Sequence, residues 1–294
     1  MINLSHTAKE KYLDSPRAYY LHYLLNLREE QCGSALVFGN AIDNALNILL
    51  TEKDLEKAKQ EFYKNMRTFT YNDETLDLLN TNKIKYSKSD LDESLVPEGT
   101  EEKLRSWTSL YGKGLMFLDA YNEQIIPNIK KVLAVQQYVE IKNETGDKII
   151  GFVDLICDWD DGTTKGVVVF DNKTSSVDYK QDKIQNDAPQ LATYNEAPIV
   201  KNFNPDYVGY IVISKKIRKK DPRVRINVII DKIPESLIEK TFADYDKVLY
   251  NIKMGNFECS GKCDKPWGNC PYKKYCESGG CDTTGLVKLK KDKK

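Results

Sequence analysis

Three residues carry the most pointed chemistry in this chain: Asp154, Asp171 and Lys173. Asp154 closes the run Gly151-Phe152-Val153-Asp154, and Asp171 and Lys173 follow Val167-Val168-Val169-Phe170. In an extended strand alternate side chains share a face. Asp171 and Lys173 therefore point the same way, and Asp154 should share its face with Phe152 and Ile156. A carboxylate in such an apolar run is costly unless it is paired or binds a cation. Two carboxylates can hold Mg²⁺ or Mn²⁺, hard cations that take oxygen ligands. A cation held there lowers the pKa of bound water and offsets the charge on a phosphate, while an adjacent lysine orients the water or stabilises the developing charge. That set suits phosphodiester hydrolysis. The competing reading is a strand-end charge cluster with an ordinary ion pair, and Asp-x-Lys alone does not separate the two.

The elements that must position these residues can be read from pattern. Val132–Lys142, Lys148–Trp159 and Lys165–Lys173 are strand-like, and Asp160-Asp161-Gly162 joins the second and third as a hairpin. Such a hairpin brings Asp154 near Asp171 and Lys173. A helix is expected over 188–197, with Pro189 in its first turn. Strands follow at Tyr207–Ser214 and Val224–Ile230, and a helix from Pro234 to about Met254, stopped by Gly255. Upstream, residues 7–65 read as helical, with Phe38, Ile42, Ala45, Leu46 and Leu49 at helical spacing. Residues 87–102 read as an acidic loop, and Leu104 to Tyr121 as an amphipathic helix. The fold implied is α/β: a central mixed sheet with flanking helices, an N-terminal helical region over 1–130, a core over 131–256, and a cysteine-rich cap with a basic tail over 257–294.

Composition narrows the choice. Lys+Arg and Asp+Glu stand at 44 each among 294 residues, so a nucleic-acid surface must be local rather than global. The only histidines are His6 and His22, which leaves little for a Ser-His-Asp triad or a His-rich zinc hydrolase. No apolar run is long enough to span a bilayer, and the N-terminus lacks a basic-then-apolar leader, so no membrane partner and a cytoplasmic location are expected. In that compartment seven cysteines read as thiols or metal ligands rather than disulfides.

The order of the motifs resembles a known family. Gly151–Asp154, then Asp171-Asn172-Lys173-Thr174, then Gln190-Leu191-Ala192-Thr193-Tyr194 is similar to the motif order of RecB-type nucleases of the PD-(D/E)XK superfamily, a group with AddB-like and CRISPR-adaptation members. Leu4-Ser5-His6 with Tyr12–Tyr20 is similar to that family's opening helix. Phe38–Leu46 resembles its first motif, Gly-x-x-x-His, except that Asp43 stands where histidine is usual. The resemblance implies a restriction-endonuclease-like core and a Mg²⁺- or Mn²⁺-dependent deoxyribonuclease. It implies Asp43, Asp154 and Asp171 as metal ligands, with Lys173 completing the catalytic set. Gln190 and Tyr194, four apart on one helix face, are the implied DNA contacts. Glu140 matches a commonly acidic position. The implied activity is exonucleolytic on single-stranded DNA or DNA with free ends, with recombination or replication proteins as partners. Compact versions of this kind resemble phage nucleases, which places the chain in a bacterial or phage-infected cell. The alternatives are a catalytically silent nucleic-acid-binding or assembly subunit and an endonuclease of the same superfamily.

The cysteines cluster as Cys259-x3-Cys263-x6-Cys270-x5-Cys276-x4-Cys281. Close cysteines in a reducing compartment point to metal. Many relatives of the resembled family hold a [4Fe-4S] cluster, but Ser15 and Trp267 stand at two of its four ligand positions. Cys259, Cys263, Cys270 and Cys276 can instead form a local structural Zn²⁺ site, with the iron–sulfur cluster and free thiols as the alternatives. Cys32 and Cys157 read as ordinary thiols. The stretch from Lys215 to Arg225 is densely basic, and Lys216, Arg218, Lys219 and Lys220 are its expected DNA-binding residues, with Lys288–Lys294 beside them.

Overall fold

The structure is a computed structural model and describes residues 1–217, 223–261, 263–264 and 270–290. In chain order the elements are β1 (Asn3–Ser5), α1 (His6–Asp14), α2 (Pro16–Tyr19), β2 (Leu27–Glu29), β3 (Cys32–Gly33), α3 (Ser34–Glu52), α4 (Leu55–Arg67), β4 (Thr68–Tyr71), β5 (Glu74–Asp77), β6 (Ile84–Lys85) and α5 (Arg105–Gln124). Then come β7 (Ile129–Lys142), β8 (Lys148–Asp160), β9 (Lys165–Ser175), α6 (Lys183–Asn186), α7 (Pro189–Glu196), α8 (Pro198–Lys201), β10 (Tyr207–Ser214), β11 (Ile226–Asp231), α9 (Glu235–Lys253), α10 (Lys273–Glu277) and β12 (Leu286–Lys288).

The centre is a mixed sheet in the order β1-β8-β9-β10-β11, with β7 on the other edge of β8. β7, β8 and β9 form an antiparallel meander, β9 and β10 run parallel, and β1 runs parallel to β8. A parallel pair needs a crossover, and α6, α7 and α8 supply it between β9 and β10. One sheet face carries Leu155, Cys157, Val168, Phe170, Ile211 and Ile213 against α3, α4 and α5. The opposite face carries Val153, Val169, Val208 and Val212 against α7, α8 and the start of α9. A third cluster joins β1 and α1 to α9 through Leu4, Tyr12 and Tyr245.

The expected α/β class and mixed sheet hold. The expected helix over 7–65 does not run through: β2 and β3 interrupt it, and Asn26 takes φ 53° just before them. Residues 87–102 are irregular, with short 3₁₀ turns. The β4–β5 hairpin was not foreseen. Its turn, Asn72-Asp73, has φ 50° and 62°, the left-handed pair that Asn and Asp tolerate. The last strand opens at Ile226 rather than Val224.

Candidate active site

The site forms where the sheet comes apart. On the edge of β8 away from β7, β1 pairs with residues 148–150 and β9 with 155–160. Among the described residues, 151–154 between them have no strand partner on that edge, and Asp154 is the last of them. Its carboxylate occupies the gap: Oδ2 accepts from the Asn172 backbone N–H at 2.8 Å. Asn172 is held in turn, because its Oδ1 accepts from the hydroxyl of the fully buried Tyr121 at 3.2 Å.

The β7 side is irregular at the same level. Val135 pairs with Leu155 and Gln137 with Val153, which sets Gln136 opposite Asp154. Gln136 has φ 50°, left-handed backbone inside a long strand, and its Nε2 lies 3.4 Å from Asp154 Oδ1. The expected sharing of a face by Asp154 and Ile156 is also altered. Val153 and Ile156 enter one cluster while Leu155 enters the other, so the alternation slips at Asp154.

Asp171 and Lys173 project from β9 beside it. Asp171 is 1% exposed, and Lys173 Nζ stands 2.6 Å from its Oδ2. Among the described residues that ammonium is the one group shown against the buried Oδ2. Lys173 also donates to Gln190 Oε1 at 3.1 Å, and Gln190 Nε2 donates to the Tyr194 hydroxyl at 2.6 Å. Gln190 and Tyr194 sit on one face of α7, as expected. Tyr194 is only 4% exposed and feels the charges of Asp171 and Asp154. Gly151 makes room for it, since a Cβ at Gly151 would lie 3.2 Å from Tyr194 Cε1.

Asp43 comes from the middle of α3 and feels both Lys173 and Asp171. Burial, opposed by Lys173 and reinforced by Asp171, pushes its carboxyl up to about 6. Burial and then the charges of Asp171 and Asp43 raise Asp154 well above the usual carboxylate range. Burial also raises Asp171, against the pull of Lys173. Burial alone would lower Lys173, but Asp171 overcomes it and keeps the ammonium charged. The arrangement is three crowded carboxyls with one lysine, a set short of positive charge. Among the described residues no group of three or more His, Cys, Asp and Glu side chains is arranged to hold a metal ion as it stands. The donor chemistry still fits one: all three are oxygen ligands, and the charge of Asp171 acts against both Asp43 and Asp154.

Sequence reasoning missed Gln136, Asn172 and Tyr121 as supports of Asp154. It also missed the closeness of His6, whose imidazole feels Lys173 and is pushed down to about 4 by burial and then Lys9. Glu140 pairs with Lys148 at 2.9 Å on the surface. Lys216 is exposed just past β10, whereas Arg218, Lys219, Lys220 and Trp267 lie outside the described residues.

Cys259, Cys270 and Cys276 lie around Cys263. Cys259 Sγ is 3.8 Å from Cys263 Sγ, and the Cys270 N–H donates to the Cys263 carbonyl at 2.7 Å. Burial, then Cys259, then the fields of Cys270 and Cys276 push the Cys263 thiol up to about 11. Ser15 is engaged otherwise, capping α2 by accepting the Ala18 N–H at 3.2 Å. Tyr272, fully buried, fixes the segment by donating its hydroxyl to the Leu27 carbonyl at 3.0 Å, and β12 pairs with β2.

A mixed sheet opened at a carboxylate, with an Asp-x-Lys strand beside it, is consistent with a PD-(D/E)XK nuclease core. The chain belongs to the PD-(D/E)XK nuclease superfamily, whose family model matches residues 3–277. Members generally use divalent metals such as Mg²⁺, and DNA is the substrate that membership implies. No curated protein matches the chain. Among solved structures it is similar to SSO0001 at 13% identity, covering 96% of this chain and 94% of that one, with a TM-score of 0.27 that bears no argument. No helix among the described residues is long and apolar enough to cross a membrane.

Proposed function

We propose that the chain is a Mg²⁺- or Mn²⁺-dependent deoxyribonuclease, exonucleolytic on single strands or free ends. The observation that carries this reading is the convergence of Asp43, Asp154, Asp171 and Lys173 at the opened edge of β8. The three aspartates would hold a divalent cation, which when bound lowers the pKa of a water and offsets charge on the phosphate. The protein's own residues do the rest. Asn172 N–H and Gln136 aim Asp154. Asp171 and Gln190 pin Lys173, whose ammonium would orient the attacking water or meet the charge that develops on the phosphate. Tyr194 and Gly151 hold Gln190 in place from behind. Lys216, with Arg218, Lys219 and Lys220, supplies the expected phosphate-binding stretch. Cys259, Cys263, Cys270 and Cys276 are read as a structural Zn²⁺ site, with a [4Fe-4S] cluster as the rival.

The test is digestion of end-labelled single- and double-stranded DNA, and of closed circular DNA, with Mg²⁺, Mn²⁺ or EDTA. Metal-dependent shortening from ends, with circles spared, is expected. Cut circles would make it an endonuclease, and no cleavage with either metal would overturn the enzymatic reading.

A further inference from the structure

A second cluster of cations lies beyond the acids. A cavity of about 420 Å³ is lined by Ser87, Ser89, Lys113, Ser176, Lys215 and Lys216. It shares two elements with the site. α3 carries Asp43 and also contributes Phe38 to the cavity wall. β9 leads from Lys173 to Ser175, whose carbonyl accepts the Lys215 N–H at 2.8 Å, a run of roughly 7 Å along the strand.

Burying ammonium groups is costly, and two are gathered here. Lys113 is 6% exposed, and its Nζ donates to the carbonyls of Ser89 at 3.1 Å and Asp90 at 2.9 Å, which leaves one of its three donors. Lys215 is half-buried with its Nζ 5.5 Å from the Phe38 ring centroid. Burial lowers both lysines; Asp92 and then Asp90 oppose it at Lys113, and at Lys215 Asp90 opposes it while Lys113 adds to it. Asp90 is already engaged, accepting from Ser34 Oγ and from the Ser87 N–H, both at 2.6 Å. The cavity thus presents ammonium donors and serine hydroxyls together. Its wall also includes the buried Phe38, Leu110 and Phe117 and the acids Asp90 and Asp92, against which stand the three lysines.

We propose that this cavity binds the terminal phosphate of a nucleic-acid strand whose chain leads away toward Lys173. Ammonium groups and hydroxyls are the donors a phosphomonoester takes, and its extra charge distinguishes it from an internal phosphodiester. The inference rests on the nuclease reading, because it takes the strand to be the substrate. It makes the enzyme start from phosphorylated ends.

The experiment is fluorescence anisotropy with the full chain in EDTA, so binding is read without cleavage and stands apart from the catalytic test. Three labelled single strands are compared: one with a 5′-phosphate, one with a 3′-phosphate, and one with hydroxyls at both ends. One phosphorylated strand should bind about tenfold more tightly than the hydroxyl-ended one, and which one it is reports the polarity. Lys215→Gln should remove that preference while leaving the affinity for the hydroxyl-ended strand unchanged. Lys113→Gln is avoided because Lys113 also holds residues 89–90. Equal binding of all three strands would overturn the proposal, as would a phosphate preference that survives in Lys215→Gln.

Discussion

Gln136 stands opposite Asp154 across the β7–β8 ladder, with its backbone at φ 50° and its amide nitrogen 3.4 Å from Asp154 Oδ1. Left-handed backbone at a non-glycine residue in a strand is unfavourable by roughly 1–3 kcal/mol, so the rest of the sheet must hold it there. The relationship separates stability from function. Gln136→Gly relieves the backbone but deletes the amide. The melting temperature should hold or rise, while the DNA cleavage rate falls about tenfold and more Mn²⁺ is needed for half-maximal binding. Gln136→Asn, which tolerates left-handed backbone and keeps an amide, should recover part of the loss. Unchanged cleavage in Gln136→Gly would make the amide contact incidental.

Gly151 links the Asp154 strand to the lysine. A Cβ there meets Tyr194 at 3.2 Å, Tyr194 takes a hydrogen bond from Gln190, and Gln190 takes one from Lys173. Gly151→Ala should push this relay and cost about 1–3 kcal/mol of stability by overpacking. Tyr194→Phe, which removes only the hydroxyl, should leave stability within about 1 kcal/mol yet lower the cleavage rate. Chemical denaturation with parallel cleavage assays measures both. A fully active Gly151→Ala would show that the ring can shift without moving Lys173.

Asp147 ties three parts of the fold together. Its carboxylate accepts from the Ile2 N–H at 3.0 Å and the Thr145 hydroxyl at 2.8 Å, and pairs with Lys253 at the end of α9. Burial would raise this acid, but Lys253, Thr145 and Ile2 together hold it down at about 2. A depressed folded value means that its contribution is present above the usual 3.8 and is lost as pH falls from there toward 2. Asp147→Asn should therefore lower the melting temperature at pH 7 by about 2–4 °C for each kcal/mol lost. The gap to the wild type should close between pH 4 and pH 2. A gap independent of pH would assign the loss to packing rather than charge.

For the cysteine cluster, elemental analysis after anaerobic purification should find about one Zn²⁺ per chain. Cys270→Ser or Cys276→Ser should release it and expose the segment after α9 to protease. A brown protein with several irons and labile sulfide would replace zinc with an iron–sulfur cluster, and a metal-free protein would leave free thiols.

Much of the site was legible because strand chemistry is local. Period-two apolar runs and the Asp160–Gly162 turn place β7, β8 and β9 to within three residues at each end, and with them the closeness of Asp154, Asp171 and Lys173. Asp43 also arrives beside them, carried by the α3 stripe that begins at Phe38. What stayed hidden depends on contacts across many residues. Gln136 looks like any strand glutamine until its partner is known. Tyr121 lies 51 residues from Asn172, whose amide it holds. β1 is only three residues long, and nothing in Asn3–Ser5 announces that it pairs far away with Lys148–Ile150. The burial of Tyr194 was also hidden, because helix spacing gives the face of a residue and not its depth.

The central claim is that Asp154, Asp171 and Lys173 cleave DNA together. The most direct measurement is the Mn²⁺-dependent cleavage rate of end-labelled DNA by the wild type and by Asp154→Ala, Asp171→Ala and Lys173→Ala, each first shown to melt as a folded protein. Both aspartate variants should be inactive, and Lys173→Ala should be slowed by roughly 10²–10³-fold. Wild-type cleavage by folded Asp154→Ala or Asp171→Ala would contradict the account.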